Sequence, residues 1–378
     1  MELPFFYVQY PKFMLLSQVI KEKIQNEGPL SFHDFMDLAL YHPSLGYYNS
    51  DKNKIGKSGD YYTSPVLSSL FGTMIAKQIE EMWHLLNKKP FTIVEYGAGT
   101  GALCADILDH LKKNTLLYGQ LNYCIIEKSS SMMRDEKNRL HEKVTWHNSI
   151  SEIPDLTGCV LSNELLDNFP VHKVVMKEEL MEVFVGYQNG FVERLRPASK
   201  QLSDYFLQQN IVLPEGYSTE VNLAAINWIT EIADNLKNGF VLTIDYGFSA
   251  GELYNATRNA GTMVCFKDHK VNYLPYSNIG EQDITVHVNF SALDHWGKKN
   301  GLELTGFTTQ NHFLRSLGLM NYLRNLELSA TDEKSRDSIF QINKLLLDMG
   351  NKFKVLIQQK GMKSKFLSGT QFSIPINT

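Results

Sequence analysis

Apolar residues recur along this chain at two different spacings, and the switches between them mark the elements. SQVIKEKIQNEG (17–28) places Val19, Ile20 and Ile24 at helical intervals and ends in Gly28, which predicts a helix with a glycine C-cap. Pro29 and Ser31 open a second helix, SFHDFMDLALYH, with Ser31 as N-cap and Asp34 three residues on; Pro43 and Gly46 end it. NSDKNKIGKSGD (49–60) is polar and glycine-containing and reads as a mobile loop. YYTSPVLSSLFGTMIAKQIEEMW (61–83) reads as a loop followed by an amphipathic helix.

From residue 91 the two spacings alternate. FTIVEY, LNYCIIEK (121–128), VTWHNSI (144–150) and GCVLSNELLDN (158–168) read as strands or strand starts. ALCADILDHLKK and SSMMRDEKNRLHE between them read as helices. That alternation implies an α/β fold, a parallel sheet with helices on both faces. It then breaks: HKVVMKEELMEVFVGYQNGFVERL (172–195) has period two around Asn189-Gly190, the signature of an antiparallel hairpin. LAAINWITEIADNLK (223–237) returns as a helix, FVLTIDYG (240–247) as a strand, and SIFQINKLLLDMGNKFKVLI (338–357) is expected to be helical. The expected organisation is an N-terminal helical and lid region (1–90), an α/β domain made of 91–170 and 219–378, and an inserted antiparallel subdomain (171–218).

With 378 residues, 43% hydrophobic and 21% charged, the composition is that of a globular protein. A formal net charge of −4 argues against a general nucleic-acid binder. The four cysteines (Cys104, Cys124, Cys159, Cys265) form no C-x-x-C pair, which is wrong for a zinc site and for a disulfide framework. No apolar run is long enough to span a bilayer. MELPFFYVQYPKF lacks the charge and apolar core of a signal peptide, and the first arginine is Arg134, so the expected location is cytoplasmic.

The candidate chemistry begins in FTIVEYGAGTGALCADIL (91–108), a strand, a glycine turn and a helix. Such a turn presents backbone N–H groups to a ligand at a helix N-terminus. The frame is E-x-G-x-G-x-G, from Glu95 through Gly97, Gly99 and Gly101, with the third glycine one residue earlier than in G-x-G-x-x-G dinucleotide sites. Glu127 ends the second strand, where a carboxylate can accept both ribose hydroxyls of NAD or of S-adenosylmethionine. The fourth strand ends in Ser162-Asn163-Glu164, with Asp167 close behind. This acidic end suits a methyltransferase, which must orient a nucleophilic nitrogen, better than a dehydrogenase, which needs an apolar nicotinamide wall.

Several motifs in order carry a more specific signal: GPLSFHDFMDLALYHPSLGYY (28–48), GDYYTSPVLSSLFG (59–72), VEYGAGTGALCADIL (94–108), SNELLDNFPV (162–171), DYG (245–247), DITVHVNFSAL (283–293) and TTQNHFLRSLGL (308–319). Through them the chain resembles the mitochondrial-dysfunction protein A (MidA) family of class I S-adenosylmethionine-dependent methyltransferases. The resemblance implies a Rossmann-like sheet with an N-terminal addition and an inserted subdomain. It also implies S-adenosylmethionine as cofactor, leaving as S-adenosylhomocysteine, and no metal. Its mitochondrial member modifies an arginine of a complex I subunit, so the implied partner is a protein, with an NADH dehydrogenase subunit as first candidate; a second copy of the chain is another. Two departures stand out: Ala98 and Thr100 within the glycine turn, and Asn289 where the family has an acid in H-V-D-F, here His287-Val288-Asn289-Phe290.

On this reading Gly97, Gly99 and Gly101 hold the methionine carboxylate, Glu95 the ammonium and Glu127 the ribose. Asn148 and Ser149 follow the third strand, at the usual place for adenine contacts. Glu164, with Asp167 and Asn163 beside it, would grip the acceptor. Tyr61, Tyr62, Thr63 and Ser64 would close over the cofactor, and Asp245 and Tyr246 would sit at the rim. His287 is a candidate proton acceptor, although a lone histidine in a strand is more often structural. A small-molecule acceptor, another protein side chain, a cofactor-binding assembly module without turnover and an NAD-dependent oxidoreductase stay open at this level.

Overall fold

Seven strands carry the alternation into one sheet: β1 (Phe91–Tyr96), β2 (Leu121–Ile126), β3 (Val144–His147), β4 (Thr157–Asn163), β5 (Asn238–Phe248), β6 (Glu303–Thr309) and β7 (Phe353–Lys360). Their spatial order is β6-β7-β5-β4-β1-β2-β3, and a two-residue strand, Val288–Asn289, pairs with the end of β5 to make the eighth member. β1 to β5 run parallel, whereas β7 is antiparallel to both β5 and β6. The computed structural model describes residues 15–376 apart from 51, 53, 57, 58, 141 and 363–365. The opening MELPFFYVQYPKF, and part of the 49–60 loop, lie outside the described residues.

The strands are apolar on both faces because both faces are covered. Ile93, Ile125, Leu161, Leu242 and Val355 pack on one side against helices Ser69–Leu85 and Ala102–Leu111. Their neighbours Val94, Cys124, Val160, Val241 and Leu356 pack on the other against Leu223–Asn235 and Phe290–Lys299. Each fully buried side chain of this kind contributes roughly 1.5–3 kcal/mol. The fold is thus the Rossmann-like α/β sheet with helices on both faces that was expected.

Two smaller sheets flank it. Leu30–Ser31, His172–Met176, Leu180–Tyr187, Phe191–Pro197 and Ser218–Val221 form a five-stranded antiparallel sheet, with Asn189 (φ 55°) and Gly190 making the tight turn. Helices Leu16–Glu27 and Phe32–Tyr41 pack against it through Ile20, Phe35 and Met36; Ser31 Oγ accepts the Asp34 N–H, as its N-cap position predicts. Val264–Lys267, Lys270–Asn272 and Asp283–Thr285 form the third sheet.

One sequence expectation fails. The 338–357 stretch is helical only to Lys344, passes through a wider turn at Leu345–Met349, and then becomes β7. β7 lies between β5 and β6 and buries Phe353, Val355, Leu356 and Ile357, so its apolar positions do not alternate. An apolar run covered on both faces cannot be told from a buried helix by spacing.

Candidate functional site

The carboxyl ends of β1, β2 and β4 open onto a cavity of about 600 Å³. This is the crevice where open α/β sheets hold their ligands. Its floor is the glycine turn. Gly97, Gly99 and Gly101 have φ of 65°, 60° and 70°, a region that costs a residue with a side chain ~1–2 kcal/mol. Gly97 donates its N–H to the Ile126 carbonyl at 2.9 Å, and a β-carbon on Gly97 would stand 2.7 Å from Leu165 Cδ1. Gly101 does not line the cavity; it is the left-handed N-cap of Ala102–Leu111.

Two acids flank the turn. Glu95 is 3% exposed and accepts the Tyr123 hydroxyl at 2.6 Å; burial, reinforced by Glu127, pushes its carboxyl up to about 7. Glu127 accepts the Ser129 N–H at 2.6 Å. Burial raises its pKa, while backbone N–H groups of Ser129 and Gly99 favour its charge. Glycine backbone and two enclosed carboxylates fit a cofactor that carries a carboxylate, a ribose and positive charge. Asn148 also lines the cavity; Ser149 does not, and instead caps the turn at Ile150–Glu152 and bonds Glu231.

At the end of β4, Asn163 and Glu164 line the same cavity. Glu164 is held in the left-handed region, at φ 53°. Its side chain accepts the Ser64 N–H at 3.0 Å and the Asn163 amide at 3.1 Å, and its own N–H bonds the Ile244 carbonyl at 2.9 Å. Burial, with Asp245 nearby, pushes the Glu164 carboxyl up to about 8. Strain of this kind at a non-glycine residue persists only where the surroundings impose it, and it clusters at functional sites. Asp245 imposes it: Oδ2 accepts the N–H groups of Leu165 and Leu166 at 3.1 and 2.8 Å, and Oδ1 that of Tyr246 at 2.8 Å.

Asp167 does not join Glu164 at the cavity wall. The short turn Leu166–Asn168 buries it, and burial with Asp245, Asp283 and Glu164 raises its pKa well above the usual range. Thr63 lines the cavity, but Tyr62 does not; its ring stacks on His269 at 5.0 Å and lies under Lys344 Nζ. His287 stands outside the cavity against Tyr246 and Phe248, and burial, with Arg258 and Lys354, lowers its pKa to about 4. Asn289 caps helix Phe290–Lys299 and donates to the Tyr205 hydroxyl at 2.9 Å, also outside the cavity. Among the described residues no group of three or more His, Cys, Asp or Glu is placed to hold a metal.

Of the aromatic wall, sequence reasoning named Tyr61 and missed Tyr41 and Tyr48. Tyr41, Tyr48 and Tyr61 line the cavity with Lys128, Asn168 and Trp228. The Tyr41 and Tyr48 rings stack at 5.4 Å, the Tyr41 hydroxyl donates to Asn168 Oδ1 at 2.7 Å, and the Tyr48 hydroxyl to Asp283 Oδ1 at 2.9 Å. Their one sequence signal was the 28–48 motif, which carries no chemistry on its face.

Residues 74–308 match a family described as "Putative S-adenosyl-L-methionine-dependent methyltransferase". A Caenorhabditis elegans protein named "Protein arginine methyltransferase NDUFAF7 homolog, mitochondrial" is 28% identical over 370 residues, 90% of this chain and 85% of that protein. The Homo sapiens protein arginine methyltransferase NDUFAF7, mitochondrial, is 26% identical over 369 residues, 88% and 80% of the two chains. A Burkholderia thailandensis crystal structure with bound S-adenosyl-homocysteine superposes with a TM-score of 0.85 at 28% identity, covering 95% of each chain. The expectation of a cytoplasmic protein is corrected by the NDUFAF7 relatives, which are named as mitochondrial. Among the described residues no helix is long and apolar enough to cross a membrane.

Proposed function

The chain belongs to this family of S-adenosyl-L-methionine-dependent methyltransferases, and we propose that it methylates arginine on a protein, with a respiratory complex I-type subunit as the first target to test. S-adenosylmethionine is the cofactor. The observation that carries the acceptor reading is Glu164. It shares one cavity with the glycine turn and Glu127, and it is held there by a strained backbone. The curated relatives named as protein arginine methyltransferases support the same reading.

Gly97, Gly99 and the N-terminus of Ala102–Leu111 would hold the cofactor's carboxylate, where N–H groups and the helix dipole favour an anion. Gly101 sets the turn. Glu95 would face the ammonium, Glu127 the ribose, and Asn148 the adenine. When bound, the cofactor supplies an electrophilic methyl group on a cationic sulfur. Guanidinium stays protonated, with a pKa above ~12, and is planar, so a carboxylate that accepts its N–H hydrogens fixes which nitrogen faces the methyl. Glu164 does this, with Asn163 holding its carboxylate. The nitrogen that gains a methyl must shed one proton; the guanidinium cation beside Glu164 draws the carboxyl, which burial lifts to about 8, into its charged form, and that carboxylate takes the proton. The Tyr41, Tyr48 and Tyr61 wall suits a cationic side chain, because ring faces attract cations by ~0.5–2 kcal/mol.

The test is transfer of labelled methyl from S-adenosylmethionine to proteins in an extract from a host lacking this gene. Glu164→Gln and Gly99→Val variants run alongside. The expected outcome is a labelled band with the native protein, lost with both variants, whose mass spectrum shows methylarginine. A band methylated on another residue overturns the arginine reading. Retained labelling with Glu164→Gln removes Glu164 from the acceptor site.

A further inference from the structure

Behind Glu127 stands a second acid that the mechanism above does not use. Glu136 lies on helix Ser130–Arg139 and is fully buried, at 0% exposure. Its Oε2 accepts the indole N–H of Trp146, on β3, at 2.8 Å. Its Oε1 is buried and meets no donor among the described residues. The Glu136 and Glu127 carboxyl groups are within reach of each other: Glu127 takes the Gly99 N–H, and the Glu136 backbone packs on Gly101 of the same turn.

Two carboxylates this close, away from water, cannot both be charged; one must keep a proton and donate it to the other. The surroundings decide which. Glu127 accepts backbone N–H groups of Ser129, Gly99 and Lys128, which stabilise its charge. Glu136 has the Trp146 donor, and otherwise faces Glu127, Glu95 on β1 and Cys104 on helix Ala102–Leu111, none of which favours a negative charge beside it. Lys137 stands over the Trp146 ring, 5.3 Å from its centroid. A carboxyl oxygen that keeps a proton needs no donor, so the orphaned Oε1 fits a protonated Glu136.

We propose that Glu136 is a positioning residue for the cofactor, donating its carboxyl hydrogen to Glu127 and holding that carboxylate ready for the ribose hydroxyls. This rests on the reading that Glu127 holds the ribose. It extends the site one layer into the core, through β3 and helix Ser130–Arg139, whose Met132 also lines the cavity. It also makes ribose capture depend on a proton. Glu136 binds that proton with a pKa pushed to about 9, by burial first and Glu127 second.

The experiment is titration calorimetry with S-adenosylhomocysteine, on the native protein and on Glu136→Gln and Glu136→Leu. Glutamine keeps a donor toward Glu127 and an acceptor for Trp146, so its affinity near neutral pH stays within about threefold of native. From about pH 7 to about pH 10 the native affinity falls at least tenfold relative to Glu136→Gln, because ionised Glu136 repels Glu127. Ionisation of the ligand's own amine affects both proteins alike and drops out of the comparison. Glu136→Leu binds at least tenfold more weakly at neutral pH, and glutamine rescues it. Parallel pH profiles for native and Glu136→Gln overturn the proposal, and this comparison stands even if the leucine variant fails to fold. Weak native binding at every pH with no change in Glu127→Ala would instead overturn the ribose assignment.

Discussion

Replacing Glu164 by glutamine should abolish methyl transfer while making the protein more stable at neutral pH, and both effects come from the same geometry. Burial lifts the carboxyl from 4.5 to about 8. The folded state therefore binds a proton that the unfolded chain has released, throughout that window. A raised folded pKa means stability is fully present below the unfolded pKa and is lost as pH rises through the folded one. At 1.36 kcal/mol per unit the cost approaches roughly 3 kcal/mol at pH 7. Glu164 is only half-buried and opens onto the cavity, so water there reduces the figure to the order of 1–2 kcal/mol. Glutamine carries no charge, yet its carbonyl can still accept the Ser64 N–H and the Asn163 amide. The assay is a pair of melting curves, native and Glu164→Gln, at steps from about pH 4 to about pH 9. The variant should match native at the acid end and melt a few degrees higher near pH 8. Transfer at pH 7 should drop by about 10²–10⁴. A stability difference that does not change with pH, or a variant that is less stable throughout, would refute the claim that the charged carboxylate is held at a cost.

Three further outcomes are expected. Gly97→Ala and Gly99→Ala should each lose ~1–2 kcal/mol from the left-handed backbone. Gly97→Ala should lose more turnover, because only its β-carbon meets Leu165 at 2.7 Å, beside Glu164; the reverse ranking in kcat would contradict this. Asp245→Ala leaves the N–H groups of Leu165, Leu166 and Tyr246 without their acceptor, so kcat should fall while S-adenosylhomocysteine affinity stays near native. Asparagine should restore part of the rate, and an equal loss in both variants would show that the three N–H bonds are not what matters. Glu95 sits near pKa 7, and a ligand ammonium beside it should expel its proton. Calorimetry in buffers of different ionisation enthalpy, near pH 7, should therefore report proton release on binding, reduced in Glu95→Gln; equal release in the two proteins would place the ammonium elsewhere.

The parts of the site that could be read from the chain are those whose chemistry is local. A glycine at every second position, directly after a strand, admits few structures, so the 97–101 turn and the acids at the ends of β1, β2 and β4 were visible one segment at a time. Of the aromatic wall only Tyr61 was. Tyr41 ends helix Phe32–Tyr41, which docks on the antiparallel sheet, and Tyr48 sits in the short turn Tyr47–Asn49 behind it; Asn168, which accepts the Tyr41 hydroxyl, is more than a hundred residues away. Tyr62 and Thr63 are neighbours, and which of them faces the cavity was settled by His269 stacking on Tyr62. Asp167, three residues from Glu164, was turned into the core by a short turn that Asp245 organises from β5.

What the sequence determined by itself was periodicity and turn chemistry: an alternating α/β chain, a glycine turn whose third glycine comes one residue early, and acids at strand ends. Those follow from interactions between residues a few positions apart. The tertiary structure decided three other things. It made residues 353–360 a strand, because two neighbouring strands cover that segment's backbone and helices cover its faces. It held Glu164 at a positive φ, through Asp245, which accepts the N–H groups of Leu165 and Leu166, and Ile244, which accepts that of Glu164. And it set the charge of Glu95, Glu127, Glu136 and Glu164, since a carboxylate's pKa depends on how much water and which charges surround it, and both are supplied by segments remote in the chain.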